Sequence, residues 1–201
     1  WRKLARMRIE PQFQRVGWTA RPGQQDATAI LREDLITTLG ILDDELVIAE
    51  ANGRFERAAS DPHALPAAIR QPALDVTARH ASLRTWEQML ARARKEVNPV
   101  EKQRTYVRLG AALDPALAQR ALDLALSGEP PATTSPAIIA RVAELHPEMA
   151  FDFALENERK VLALVEASSR YSYLPQLARS SADAALAGRL REYMLRSIPE
   201  G

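Results

Sequence analysis

Residues 144–157 read Glu-Leu-His-Pro-Glu-Met-Ala-Phe-Asp-Phe-Ala-Leu-Glu-Asn, a His-x-Glu triplet followed at helical spacing by Asp152 and Glu156. Such a triplet opens the zinc deaminase signature, in which a downstream Pro-Cys-x-x-Cys completes the metal shell. The chain contains no cysteine, so that shell cannot form. A zincin needs His-Glu-x-x-His, which sets two imidazoles one helical turn apart with a glutamate base between them. His63, His80 and His146 never meet that spacing, and a three-histidine site would require long-range assembly. Local chemistry supplies a plainer reading. A residue before proline avoids the helical region, so His146 ends one helix or caps the next, and Pro147 opens a new one. Glu148 then lies in a first turn, where a carboxylate interacts favourably with the helix dipole. Glu148, Asp152 and Glu156 share one face beside an apolar face of Met149, Ala150, Phe153 and Ala154. This is the pattern of a solvated acidic stripe next to a core stripe; the alternative is an acidic wall lining a cavity.

Nucleophilic catalysis finds no support. There is no Gly-x-Ser-x-Gly elbow and no glycine-rich phosphate loop, and Ser168, Ser169, Ser180 and Ser181 fall in helix-edge or loop contexts. Arg170-Tyr171-Ser172-Tyr173 is an aromatic and basic cluster in a predicted loop. Arg170, Tyr171 and Tyr173 are therefore candidate ligand contacts, since such a cluster can bind a carboxylate or stack on a ligand. Packing of the tyrosines beside a solvated arginine is the competing reading.

The elements that must position these groups are helical throughout. Apolar residues recur at intervals of three and four, and the one Asn-Gly pair, Asn52-Gly53, sits in a helical context. The pattern predicts helices near 2–10, 25–39, 44–58, 64–80, 82–96, 100–111, 115–127, 136–145, 147–156, 158–167 and 181–197. Asp114-Pro115 and Gly128 illustrate the signals: an acidic cap, a proline in the first turn and a left-handed exit. Leu117, Ala121 and Leu124 form the buried stripe between them. Longer connections are expected at 17–24, 128–135 and 168–175, with a soft break near 128–136; elsewhere consecutive helices are expected to pack as antiparallel neighbours. Leu39-Gly40, Asp44 and Ala51 are echoed by Leu109-Gly110, Asp114 and Ala121 at a constant offset of 70. That offset exceeds one armadillo or HEAT unit of ~40–47 residues and points to matching helix ends in a stack of helix pairs.

Composition sets outer bounds. At 201 residues the chain is long enough for one domain without disulfides or metal, and it reads as a single helical domain over 1–201. The 27 basic and 26 acidic residues leave a net charge of +1, which gives no field favouring nucleic acid or an anionic membrane. The most basic piece is the start, with Arg2, Lys3, Arg6 and Arg8, read as a solvated helix face or a contact with a missing neighbour. No apolar run approaches the ~20 residues that span a bilayer. The lack of cysteine leans toward a reducing compartment such as the cytoplasm without fixing one. An opening on Trp1 suggests a piece of a longer chain.

Several stretches together resemble the C-terminal helical domain of the zinc aminopeptidases of the aminopeptidase N and puromycin-sensitive aminopeptidase family. Val16-Gly-Trp-Thr-Ala-Arg-Pro-Gly23 followed by Ile30-Leu-Arg-Glu-Asp-Leu35 is similar to that family's Gly-Trp, polar loop, Leu-Arg run, with Gln25 where a glutamate is common. Ala49 to Phe55, Pro66 to Arg70, Val100 to Gly110 with Asp114 to Leu124, and Val142 to Phe153 continue the likeness over roughly 10–167. The resemblance implies an all-α, armadillo- or HEAT-like superhelical bowl. Its implied role is to cover the catalytic domain of an enzyme that removes N-terminal residues from peptides, enclosing the cavity and limiting access. It implies no catalytic centre and no metal site in this stretch, the zinc and its glutamate base being carried by an upstream domain. The implied partners are that domain and the peptide substrate, with neither nucleic acid nor membrane. The rival reading is a free-standing helical-repeat scaffold that binds another protein on its concave face.

Overall fold

The computed structural model describes residues 1–21 and 23–197. Pro22 of the Gly-Trp loop and residues 198–201 of the expected domain lie outside the described residues. Every regular element among the described residues is helical, so the chain is all-α: twelve α-helices and three short 3-10 turns. Two compact units divide it, one covering Trp1–His80 and the other beginning at Ala81; the 128–136 stretch lies inside the second.

The first unit consists of α1 (Arg2–Val16), α2 (Asp26–Ile41), α3 (Glu45–Arg57) and α4 (Ala67–Arg79), with a 3-10 turn at Pro62–Ala64 before α4. Its core joins Ile36 and Leu39 of α2, Val47 and Ala51 of α3, Leu65, and Ile69, Ala73 and Val76 of α4. The most extensive contact of α2 is with α4, two elements on, and not with α3. Expecting consecutive helices to be the main neighbours therefore describes α1 with α2 and α3 with α4, but not α2 with α3. The first helix also runs past the expected stop at 10. Pro11 removes one ladder bond, yet Ile9 and Phe13 on either side pack on the core and carry the helix to Val16. Gly17, at φ 63°, ends it in the left-handed region.

Arg32 holds this junction. Its side chain is fully buried, with Nε donating to Gly17 O at 2.9 Å and Nη2 donating to Val16 O at 3.4 Å and Gln24 Oε1 at 2.5 Å. The guanidinium thus closes carbonyls that α1 leaves without intrahelical partners. The side-chain acceptor is Gln24, not the neighbouring Gln25. Trp18 follows the cap, edge-on to Phe13 at 5.6 Å, with the Arg54 guanidinium 5.2 Å from its ring.

The second unit contains α5 (Leu83–Lys95), α6 (Pro99–Arg108) running into a 3-10 turn at Leu109–Ala111, α7 (Pro115–Leu126), α8 (Ser135–Ala143), α9 (Pro147–Glu156) and α10 (Glu158–Leu164). A 3-10 turn at Ala167–Ser169 leads to α11 (Arg170–Leu177) and then α12 (Ala184–Ser197). Here α8 is central and packs on α6, α7 and α9, with Ile138, Ile139 and Val142 wholly buried. Leu117, Ala121 and Leu124 of α7 are buried as expected, and Ala118, Leu122 and Ala125 widen the stripe. The segment 168–175, expected as a loop, is mostly the helix α11. Pro175 breaks its ladder, but burial of Tyr173, Leu174 and Leu177 compensates.

The offset of 70 has a physical basis in both units. Leu39 and Leu109 are buried at helix ends, Asp44 and Asp114 cap the helices that follow, and Ala51 and Ala121 are fully buried. The glycines sit where a neighbouring helix comes close: a Cβ on Gly40 would strike Val76, and one on Gly110 would lie 2.8 Å from Ile138 O. A histidine from further along then closes each end. His80 Nε2 donates to Gly40 O at 2.8 Å, and His146 Nε2 donates to Ala112 O at 2.9 Å.

Four substitutions test these local environments. Gly110→Ala is expected to destabilise the protein by about 1–3 kcal/mol in urea unfolding, because its new methyl meets backbone. Gly188→Ala, mid-helix with open space around it, is expected to stabilise by ~0.5–1 kcal/mol. At the α1 junction, Arg32→Ala is expected to lower stability by ~3 kcal/mol, since it opens a cavity and strands two carbonyls. Gln24→Glu is expected to raise Tm by placing a carboxylate against the buried guanidinium; an unchanged or lower Tm would argue against this account of Arg32.

Candidate functional site

The His146-Pro147-Glu148 triplet is a helix junction. His146 is the residue before α9, Pro147 its first residue, and Glu148 lies in the first turn. The imidazole Nε2 is occupied by Ala112 O, which fixes the ring against the turn after α6. The acidic face is less solvated than expected. Glu148 accepts from the Ser181 hydroxyl and Asp152 from Arg189, so the segment 181–189 lies along this face. Asp183 caps α12 through Ala185 N at 2.9 Å and fixes that approach. The apolar face also differs by a fraction of a turn. Pro147, Ala150, Phe151 and Ala154 are buried, whereas Met149 and Phe153 are only half-buried.

These residues do not fit a zinc centre. Among the described residues no group of three His, Cys, Asp or Glu side chains could hold a metal ion. His63 is exposed on a 3-10 turn, and His80 and His146 each donate Nε2 to a backbone carbonyl. Ser180 and Ser181 are engaged in tertiary hydrogen bonds. The Ser180 hydroxyl donates to Ala143 O at 2.8 Å and that of Ser181 is bonded to Glu148.

The aromatic and basic cluster is divided by α11. Tyr171 is 69% exposed, while Tyr173 is buried and donates its hydroxyl to Pro136 O at 2.7 Å. Burial pushes the Tyr173 phenol well above its usual range, so it stays a neutral donor that pins α11 to the start of α8. Arg170 donates Nε to Val165 O at 3.1 Å, closing the end of α10. Its side chain also lines a surface groove of about 740 Å³ with Glu156, Glu158, Arg159, Leu162 and Ala163. A second cavity of about 510 Å³ lies between α8 and α11 and is bordered by Tyr173, Glu144, Gln176 and Arg179. Both hollows are lined by charged or polar side chains together with apolar ones.

Residues 1–196 match the family model described as the ERAP1-like C-terminal domain. The chain belongs to this family, the C-terminal domain of M1 aminopeptidases. Over 126 residues it is 32% identical to aminopeptidase M1-A of Oryza sativa subsp. japonica, a span covering 60% of this chain and 14% of that protein. The matched stretch therefore spans about one seventh of the length of that curated relative. Within the ERAP1-like C-terminal domain, the Gly-Trp and Leu-Arg elements noted in the sequence are explained by structure: Gly17 ends α1, and Arg32 closes that end. Among the described residues no helix is long and apolar enough to cross a membrane.

One polar cluster escaped the sequence reading. Glu129 accepts from Arg94 Nε at 2.9 Å and Nη2 at 2.8 Å, and from the Tyr106 hydroxyl at 3.1 Å. The partners are 35 and 23 residues away, so no local pattern signals them. The Arg94 hydrogen bonds hold the Glu129 carboxyl below the usual glutamate range, and burial followed by the bond to Glu129 pushes the Tyr106 phenol up. A carboxyl whose pKa is depressed on folding stabilises above its unfolded pKa and loses that contribution as pH falls through the folded value. Glu129→Gln is therefore expected to lower Tm at pH 7 by about 2 °C. The gap from the parent should close as pH falls below the ordinary glutamate range. A gap that stays constant down to pH 2 would show that the carboxylate charge is not responsible.

Proposed function

We propose that this domain is the helical cover of a zinc-dependent aminopeptidase that removes N-terminal residues from peptides. Its helices form an armadillo- or HEAT-like bowl that encloses the substrate cavity and limits access, while the catalytic centre and its zinc belong to an upstream domain of the same chain. The observation that carries this reading is the match of residues 1–196 to the ERAP1-like C-terminal domain. The likeness to aminopeptidase M1-A supports it. So does the employment of the reactive side chains: the imidazoles of His80 and His146 and the carboxylates of Glu148 and Asp152 hold helix ends or helix faces together. Such a cover contributes to catalysis by excluding water and restricting how the peptide lies.

The peptide contacts proposed from sequence are Arg170, Tyr171 and Tyr173. The ring of Tyr171 is exposed and Arg170 lines the groove beside α10, whereas Tyr173 borders the second cavity from a buried position. In the full-length parent, Arg170→Ala and Tyr171→Ala are expected to raise KM for a decapeptide roughly 3- to 10-fold, the loss of about 1 kcal/mol of binding. Neither should alter kcat/KM for an aminoacyl-coumarin, which is too short to reach this domain. Equal losses on both substrates would remove these residues from peptide recognition. A parent that binds no zinc and cleaves neither substrate would overturn the peptidase reading in favour of a protein-binding scaffold.

A further inference from the structure

The helix α12 is attached differently from its neighbours. Of its 14 residues, Leu186 and Tyr193 are buried. They stand two turns apart on one face, and Tyr193 meets Phe151 of α9 edge-on with ring centroids 6.4 Å apart. By contrast α8, at 9 residues, buries Ser135, Ile138, Ile139, Val142 and Ala143. Polar contacts supply the rest of the attachment of α12 and run its whole length. Ser181 donates to the Glu148 carboxylate ahead of the helix, Arg189 pairs with Asp152 near its middle, and Arg196 Nη2 donates to Glu158 Oε2 at 3.3 Å near its end. The hydrogen bond to Asp152, with the charges of Asp183 and Glu148, holds the Arg189 guanidinium above its usual range.

These pairs are open to solvent. The side chains of Arg189 and Asp152 are 38% and 43% exposed and that of Arg196 is 64% exposed, so each pair contributes little and mobile ions screen it. The helix also has little stability of its own, because its length is near the limit at which an isolated helix is marginal and Gly188 at its middle favours the unfolded chain. We propose that α12 is a detachable strap, which opens from α9 and α10 as a unit while the core around α8 stays folded, and whose closure weakens as ionic strength rises. Segments with few buried apolar contacts are the ones that open below global unfolding. Opening uncovers the Phe151 ring and releases Glu158 from Arg196. Glu158 lines the groove that Arg159 and Arg170 also border, so the position of α12 sets how much uncompensated negative charge that groove carries.

The test is amide hydrogen exchange on the full-length parent, read by mass spectrometry of peptic fragments from α12 and from α8. In dilute buffer the amides of α12 are expected to exchange at least ~100-fold faster than those of α8. Raising NaCl from about 0.05 M to about 1 M is expected to speed α12 a further ~3- to 10-fold without speeding α8. Arg189→Gln is expected to speed α12 about 3-fold at low salt and to shrink its response to salt, leaving α8 and the Tm of the parent unmoved. Equal protection of α12 and α8, an α12 rate indifferent to salt, or an Arg189→Gln variant in which α8 loosens together with α12 would each overturn the proposal.

Discussion

Each α-helix ends with carbonyls that have no partner within the helix, and the way this chain meets that requirement organises both of its units. Side chains from elsewhere in the fold supply the missing donors. Arg32 serves the end of α1, His80 that of α2, Trp86 and His146 the turn after α6, and Ser180 the end of α8. Arg170 does the same locally for α10. A bond to a helix two elements away also sets the distance between them, and Gly40 and Gly110 show how short that distance is. Polar closure and close approach are thus one constraint. A helix can come this near only where its neighbour lacks a Cβ, and once there its end must be closed by a group on a third element.

This constraint explains what became of the residues that looked chemical. A histidine before proline resembles the start of a metal motif, yet its ring nitrogen is bonded to a carbonyl 34 residues away. Glu148, Asp152 and their partners Ser181 and Arg189 bring the start of α12 onto α9. Polar groups placed half inside a helical stack gain stability from such bonds only when both partners are satisfied, and the same satisfaction removes them from reactivity. Chemistry-bearing residue types are therefore poor guides to an active centre in a stack of helices, and the burden of assigning a function falls on family membership.

Much of the fold was legible because helix starts and stops are local. Asp44 and Asp114 cap where the sequence pattern predicts, and α9 spans Pro147–Glu156 as expected. The failures have one cause. A first helix ending at 10 and a loop over 168–175 are the expectations that fail, because side chains on either side of Pro11 and Pro175 are buried or packed on the core and tertiary burial outweighs one lost ladder bond. The same limit hid the clasp of Glu129 with Arg94 and Tyr106, and the pairing of α2 with α4, since neither leaves a mark within a few residues of itself. In the aromatic cluster, the sequence placed Tyr171 and Tyr173 together. Two residues apart on a helix lie about 200° apart, so forming α11 sends one ring out and the other in.

Many of the polar side chains within each unit serve the packing of helices. They hold helix ends at fixed separations, which resists collapse of any surface the helices present. The groups left over lie on the outside, among them the exposed ring of Tyr171 and the charged groove beside α10. The division of labour proposed for the parent enzyme, with bond cleavage upstream and access and positioning here, is consistent with how this sequence spends its polar residues.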